Sequence, residues 1–387
     1  MSQRENVNPR REQNHRKNSR RYQKRAAARR RRNTIFIMEI VLLLILAVVL
    51  FFVSKLSKIE KTKLDMDKIE VNEDISQESQ KIMKGYQTIA MFGLDNRSNG
   101  NLSQGRSDVI MLANINNDTK EVKLVSVYRD TYLDTGDGIF QKCNAAYAKG
   151  GPEQAISMLN VNLDLNITDY VTVDFNSIIE CVDLLGGVDM EITDDEASLM
   201  TGYIRELNEL TGNKAENLTQ GGTYTLNGVQ ACAYARIRYG GGDDYRRTER
   251  QRTVLTAMVK KAQQSDLTTV NKLINEVCGD IQTSFSNAEL LALASQVFQY
   301  SIGDTTGFPF TKTTKVLSKK TGDVVIPCDL SDNVKELHIF LYEDSAYTAS
   351  DTVKQNSEKI VSDTGFKSGD GRSEEHTSEL QSRIDIS

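Results

Sequence analysis

Hydrophobic positions along this chain fall into three regimes. Residues 35–53 form a mostly apolar run interrupted only by Glu39. Residues 55–80 are charged, with scattered Leu64, Met66, Ile69, Val71 and Ile75. From about Ile82, short apolar runs alternate with amphipathic stretches. Runs at 87–94, 109–115 and 121–127 predict strands, with hairpin chemistry in Asn116-Asn117-Asp118. Gly151-Pro152-Glu153 opens a predicted helix to about Leu159, with proline where a helix start tolerates it. A strand at 170–174, a helix at 176–185 closed by Gly186-Gly187, and a strand at 188–192 follow. Helical periodicity then covers 196–210, 227–235 and 244–264, and later 270–277, 288–300 and 332–342, with strands at 313–317 and 324–327. The alternation predicts an α/β layered domain with a central mixed β-sheet flanked by helices, preceded by one N-terminal transmembrane helix.

The apolar run is long enough to span a bilayer at about 20 residues. Ahead of it, Arg10, Arg11, Arg16, Lys17, Arg20, Arg21, Lys24, Arg25 and Arg29 to Arg32 face few acids beyond Glu5 and Glu12. Such a basic arm stays in the cytoplasm. The expected localisation is therefore the cell membrane, single-pass type II, with the folded part extracellular. A cleaved signal peptide is the rival reading, but no small-residue cleavage pattern follows Val53. Attraction to anionic membrane lipid accounts for the arm, and Tyr22 is its one aromatic, so no nucleic-acid partner is expected.

The organisation read from these patterns is a basic arm at 1–33, an anchor at 34–54, a stalk at 55–81, the motif-bearing domain at 82–265, an extension at 266–345 packed on the same domain, and a tail at 346–387. Within the tail, Arg372 to Ser382 resembles a translated adaptor sequence, and 371–387 is set aside as non-native. Five cysteines without C-x-x-C spacing argue against a zinc site. They read as core thiols, with Cys278 and Cys328 the one pair worth testing as a disulfide.

Between Asp95 and Gln251 the chain gathers arginine and aspartate with no histidine. Arginine forks match phosphate oxygens, and paired aspartates suit a hard cation such as Mg²⁺. Asp95 and Arg97 follow one predicted strand; Arg106 and Asp108 precede the next; Arg129 and Asp130 close the third. Strand ends are favoured ligand sites in α/β sheets. Asp95 and Asp108 can hold the metal, although either alone reads equally as a turn aspartate. Arg129 can clamp a phosphate, and Asp130 can hold that arginine or serve as a base. On the helix at 244–264, the apolar stripe Val254, Leu255, Met258 and Val259 extends back to Gln251, Arg247 and Asp244. That places Arg247 and Gln251 toward a ligand, while Arg246, Glu249, Arg250 and Arg252 read as a solvated face. Arg236 and Arg238 flank Ile237 and share one side of an extended backbone. Gly240 to Gly242 make a flexible loop, either lid or connector.

The ordered set Asp95-x-Arg97, Gly105-Arg106-Ser107-Asp108, Val127-Tyr128-Arg129-Asp130-Thr131, Lys142-x-Asn144-Ala145-Ala146-Tyr147, Gly150-Gly151-Pro152, Leu185-Gly186-Gly187-Val188-Asp189, Leu226-Asn227-Gly228, Ala235-Arg236-Ile237-Arg238 and Asp244-x-x-Arg247-x-x-Arg250-Gln251 resembles the LytR-CpsA-Psr family of Gram-positive bacteria. The resemblance covers about 86–260. It implies a membrane-anchored phosphotransferase that moves an anionic glycopolymer, of teichoic acid or capsule type, from an undecaprenyl-pyrophosphate carrier to a peptidoglycan hydroxyl. By the same resemblance Asp95 and Asp108 would hold Mg²⁺, and Arg129, Arg236, Arg238, Arg247 and Gln251 would bind the pyrophosphate, with Arg97 nearby. Arg106 and Asp130 match motif positions of less defined role. The polyprenyl chain would lie in an apolar tunnel between sheet and helices. Tyr128 stands where the family often has proline, and Cys143 where isoleucine or leucine is usual. A pyrophosphatase, a non-catalytic lipid-pyrophosphate scaffold and a transcriptional regulator are the alternatives.

Overall fold

The computed structural model describes residues 60–61, 64–94, 102, 105–238, 244–266, 269, 272–273 and 281–372. The run at 34–54, Asp95, Arg97, the glycines 240–242 and Cys278 lie outside these residues. Among the described residues no helix is long and apolar enough to cross a membrane.

The strands are β1 Glu60–Lys61, β2 Tyr86–Leu94, β3 Ser107–Asn116, β4 Glu121–Val127, β5 Tyr132–Asp134, β6 Phe140–Lys142, β7 Asp169–Asp174, β8 Val188–Ile192, β9 Gly222–Leu226, β10 Ile281–Thr283, β11 Ser301–Phe308, β12 Lys312–Ser318 and β13 Gly322–Pro327. The helices are α1 Gln77–Met83, α2 Ala145–Leu163, α3 Phe175–Leu184, α4 Asp194–Thr211, α5 Gly228–Arg236, α6 Asp244–Gln264, α7 Asn287–Ser295, α8 Leu330–Tyr342 and α9 Asp351–Thr364. A seven-stranded sheet runs in the order β1-β10-β7-β2-β3-β4-β11. β2 pairs parallel with β7 and antiparallel with β3, and β4 pairs parallel with β11, so the sheet is mixed as expected.

Side chains alternate across this sheet with period two. Ala90, Phe92, Leu94, Ile110, Leu112, Val125 and Val127 join one buried cluster, with α2, α8 and α9. Ile89, Met111, Ala113, Ile115, Val122 and Leu124 join another, against which Leu255, Leu290 and Leu293 pack. A third cluster ties α3, α4 and α5 to β8 and β9. Each fully buried aliphatic side chain contributes about 1.5–3 kcal/mol. Local chemistry sets the helix starts. Asp174 caps α3 by accepting from the Ser177 amide, and capping boxes open α4 (Thr193 with Glu196) and α5 (Asn227 with Gln230). Gly228 lets α5 approach α3, since a Cβ there would lie 2.2 Å from the Ile179 carbonyl oxygen.

Several segments depart from expectation. The helix expected from Gly151 does start there, at Pro152 after the non-helical Gly150 and Gly151 (φ of 65° at Gly151), but it runs on to Leu163, and a further helical stretch from Ala145 precedes it across a kink. The described part of the expected stalk is packed: Ile69 and Ile75 enter the first cluster. The expected tail contains α9, whose Val353 and Ile360 are buried in the same cluster. Arg372, assigned to the set-aside end, pairs its backbone with Lys312. Isolated apolar residues in a polar background carry too little periodicity to register as elements, yet each fills a place in the core. Cys328 is a free buried thiol, its pKa pushed up to about 11 by burial.

One carboxylate joins the two ends of the described domain. Asp164 is the left-handed C-cap of α2 and is fully buried. It accepts from Asn72 Nδ2 at 2.5 Å, from the Ser350 amide at 2.8 Å and from the Tyr347 hydroxyl. His338 stacks on Tyr347 with centroids 3.8 Å apart, and its Nε2–H donates to the Leu163 carbonyl at 3.0 Å. Burial holds the His338 imidazole below its usual pKa of 6.5. In that window the unfolded chain binds a proton that the folded chain refuses. Stability should therefore be full above pH 6.5 and decline as pH falls through it, with a slope approaching about 1.4 kcal/mol per pH unit. Chemical unfolding across this range should show the decline in the native chain and a flatter profile in His338→Gln; equal profiles would remove His338 as its cause.

Candidate active site

The expected arginines converge where α3, α4, α5 and α6 meet the start of β3. A cleft of about 190 Å³ is lined by Asp108, Phe175, Tyr203, Arg236, Arg238, Arg247 and Gln251. Arg247 is only 3% exposed although it carries a charge, and it sits one turn before Gln251. A buried cation of this kind needs anionic partners or a ligand. Arg236 ends α5 in helical conformation rather than lying extended; its guanidinium rests over Phe175 at 5.6 Å and Tyr203 at 5.8 Å, and bonds Glu206 at 3.2 Å. Ile237 is fully buried, and Arg238 follows it into the cleft lining.

At the sheet end, Arg129 Nη1 donates to Asp108 Oδ1 at 2.6 Å. Asp130 sits 3.7 Å from Arg129 Nε and 2.9 Å from Lys142 Nζ. Asp130 does not line the cleft. Its carboxylate is paired with two cations, as expected of a residue that holds Arg129. Arg106 is exposed and also lies off the cleft lining, because the backbone before β3 turns it outward. Asp95 and Arg97 lie outside the described residues, so the cleft brings together Asp108, Arg236, Arg238, Arg247 and Gln251, with Arg129 behind Asp108.

The expected solvated face of α6 is only partly so. Glu249 is exposed, but Arg250 and Arg252 are each 6% exposed. Arg250 Nε bonds Glu196 Oε1 at 3.0 Å, and its guanidinium lies 5.7 Å from the Tyr234 ring. Packing of α4 and α5 around α6 is what buries it, and a heptad-like reading of one helix cannot register those neighbours. Arg252 borders a separate groove of about 700 Å³ with Asp189, Lys260 and Lys261. Burial lowers its pKa to about 10.

Beside the cleft lies an apolar cavity of about 270 Å³. Met91, Gly93, Val109, Met111, Val171 and Val173 supply its sheet wall, and Val254, Leu255 and Met258 of α6 supply the opposite wall. Phe175 and Gln251 line both spaces. At Gly93 a Cβ would lie 2.9 Å from Val109, so the glycine keeps the strand pair close on this wall. Phe175, Tyr203 and Glu206 are site residues that sequence reasoning missed. The start of α3 directly after a capped strand end was the available signal for Phe175 alone. Among the described residues no group of three or more His, Cys, Asp or Glu side chains is placed to hold a metal.

The strand ends of an α/β sheet and its flanking helices thus set a cationic cleft beside an apolar cavity, with Phe175 and Gln251 in both linings. The LytR_cpsA_psr family matches residues 46–315, and the chain belongs to that family. It is similar to the polyisoprenyl-teichoic acid–peptidoglycan teichoic acid transferase TagU of Enterococcus faecalis, 30% identical over 210 residues, covering 54% of this chain and 64% of that protein. It is also similar to the transferase of the same description, TagV, of Bacillus subtilis, 30% identical over 195 residues, 49% of this chain and 48% of that one. The chain thus spans less than two thirds of the length of these relatives. In fold it matches the solved structure of TagT bound to LI-WTA, with a TM-score of 0.56 and 21% identity over 74% of this chain and 99% of that one.

Removing one partner of a buried ion pair costs about 3–5 kcal/mol. Glu196→Ala, which strips the carboxylate from Arg250, should lower unfolding stability by about that amount in a urea titration. A change below about 1 kcal/mol would put the pair in the class of surface ion pairs.

Proposed function

We propose that this chain transfers an anionic glycopolymer from an undecaprenyl-pyrophosphate carrier to a hydroxyl of peptidoglycan, on the outer face of the cell membrane. The observation that carries this reading is the shared wall at Phe175 and Gln251, where an arginine-lined cleft adjoins an apolar cavity. A polyprenyl diphosphate has the same two-part chemistry in the same order. The names of the relatives as teichoic acid transferases support the polymer class, and the run at 34–54 would supply the anchor.

In this mechanism Arg236, Arg238 and Arg247 neutralise the diphosphate, and Gln251 donates to it at the mouth of the apolar cavity. Arg129, oriented by Asp108 and Asp130, adds charge from the sheet end. The acceptor hydroxyl attacks the phosphorus that bears the polymer. The bond from that phosphorus to the bridging oxygen breaks, and the lipid leaves as its monophosphate, which takes up the proton that the hydroxyl gives up. Fixed cations aimed at this leaving charge act most strongly where water is excluded. Tyr203 and Phe175, whose ring centroids lie 5.8 and 5.6 Å from the Arg236 guanidinium, keep it from following the departing group. Mg²⁺ is part of the proposal: Asp108, a carboxylate lining the cleft beside arginines, suits a hard cation that shares phosphate oxygens, and Asp95 would be its second ligand. When bound, it would supply further neutralisation of the diphosphate.

The test uses the full chain in vesicles with lipid-linked polymer and peptidoglycan. Undecaprenyl phosphate should appear together with polymer fixed to peptidoglycan. Arg247→Ala should cut that rate by about 10²-fold or more while thermal unfolding stays unchanged. Leu255→Trp should abolish turnover of long-chain carriers and spare short-chain ones. Binding of carrier without transfer in the native chain would establish a scaffold instead, and full activity in Arg247→Ala would sink the site assignment.

A further inference from the structure

Three residues outside the cleft lining connect its two cationic ends. Tyr128 precedes Arg129 at the end of β4, and Tyr245 lies two residues before Arg247 at the start of α6. The two rings pack edge to face with centroids 4.7 Å apart and an interplanar angle of 66°. Lys312, the first residue of β12, brings its ammonium to 5.0 Å from the Tyr128 centroid and 4.6 Å from the Tyr245 centroid. Lys312 is 5% exposed, and its Nζ donates to the Pro309 carbonyl at 3.1 Å.

Each member is fixed from behind. Tyr128 is fully buried, and its amide donates to the Phe308 carbonyl at 3.0 Å. Its hydroxyl lies over Gly307, where a Cβ would come within 1.9 Å of it. Lys312 pairs its backbone with Pro327 on β13 and with Arg372. The charged groups facing the ammonium are Glu336 on α8, which favours its charge, and Arg252 on α6, which opposes it. A cation over two aromatic faces is attracted to both, and the attraction grows as water is removed.

We propose that Lys312 is a positioning residue: by gripping Tyr128 and Tyr245 together, it fixes the start of α6 against the end of β4 and so sets the spacing of Arg247 from Arg129. The proposal rests on the diphosphate reading of the cleft for its consequence, but the grip itself is independent of any ligand. It also gives the segment after α6 a part in the site, since Lys312 lies on β12 near the end of the region that the family model matches. Burial brings the Lys312 pKa down to about 7. The charged, gripping form therefore prevails below that value and is lost above it.

The experiment measures binding of geranylgeranyl diphosphate to the full chain, and hydrogen exchange of amides 245–251 without ligand, at about pH 6 and about pH 8 on either side of the lysine transition. Four proteins are compared: native, Lys312→Met, Lys312→Arg and Arg247→Ala. Lys312→Met should bind about tenfold more weakly than the native chain at the lower pH, with faster exchange at 245–251. The native chain should lose affinity and protection at the higher pH relative to Lys312→Arg, whose guanidinium stays charged throughout. If Arg247→Ala binds as the native chain does, the diphosphate reading fails, while the exchange data still decide on the grip. If Arg247→Ala loses binding but Lys312→Met keeps native affinity and exchange, the proposal is overturned. Should Lys312→Met not fold, identical pH profiles in the native chain and Lys312→Arg would overturn it equally.

Discussion

One helix surface has to change character along its length, and the site depends on where that change occurs. The face of α6 that presents Arg247 and Gln251 becomes Val254, Leu255 and Met258 within two turns. A charged group this close to the core is tolerable only against anions, and the apolar continuation is tolerable only against a sheet or a hydrocarbon. The helix cannot rotate by one position without sending cation into the sheet face or hydrocarbon contacts into solvent. Its phase is therefore fixed by both ends at once, and the junction between cationic cleft and apolar cavity is fixed with it. Gln251, neutral but polar, stands at the boundary, where either a charge or an aliphatic side chain would suit only one neighbour.

Everything around α6 serves to hold that phase. Arg250 reaches Glu196 across the neighbouring helix, and Val254 enters the cluster built by α3, α4 and α5. At the opposite face of the sheet, α2, α8 and α9 complete a core that closes over Asp164. The sheet itself draws on distant parts of the chain. β10 and β11, both beyond residue 280, flank strands formed more than a hundred residues earlier. The late segment is thus part of the platform that presents Asp108 and Arg129.

Much of this was legible in the sequence, and the pattern of successes is physical. Strands such as β2, β3, β4 and β8 are bounded by turn chemistry and carry dense apolar runs, so periodicity found them within a residue or two. Arg247 and Gln251 were placed by helical spacing alone. What spacing could not supply was the environment contributed by other elements. Arg250 and Arg252 look solvated on a helical wheel and are buried by neighbours that a wheel does not contain. Asp130 has a partner that its immediate neighbours do not predict, since Lys142, twelve residues on, pairs with one of its oxygens. Residues 64–83 and 351–364 have apolar positions too sparse to stand out, and only the closed core shows why each is there. Tyr203 sits on an ordinary amphipathic helix and becomes a site residue only because α4 crosses beside Arg236.

The cap on α2 has a mechanical meaning. Asn72 lies on the segment through which the chain enters the domain, and Tyr347 and Ser350 lie near its far end; Asp164 binds all three. A pull applied along the entering segment would meet the two-residue β1 first and then these hydrogen bonds, before it reached β2. The carboxylate would act as a strain relief, keeping tension at the point of attachment from being transmitted to the cleft. Such isolation keeps the spacing between Arg129 and Arg247 independent of load at the chain's point of entry.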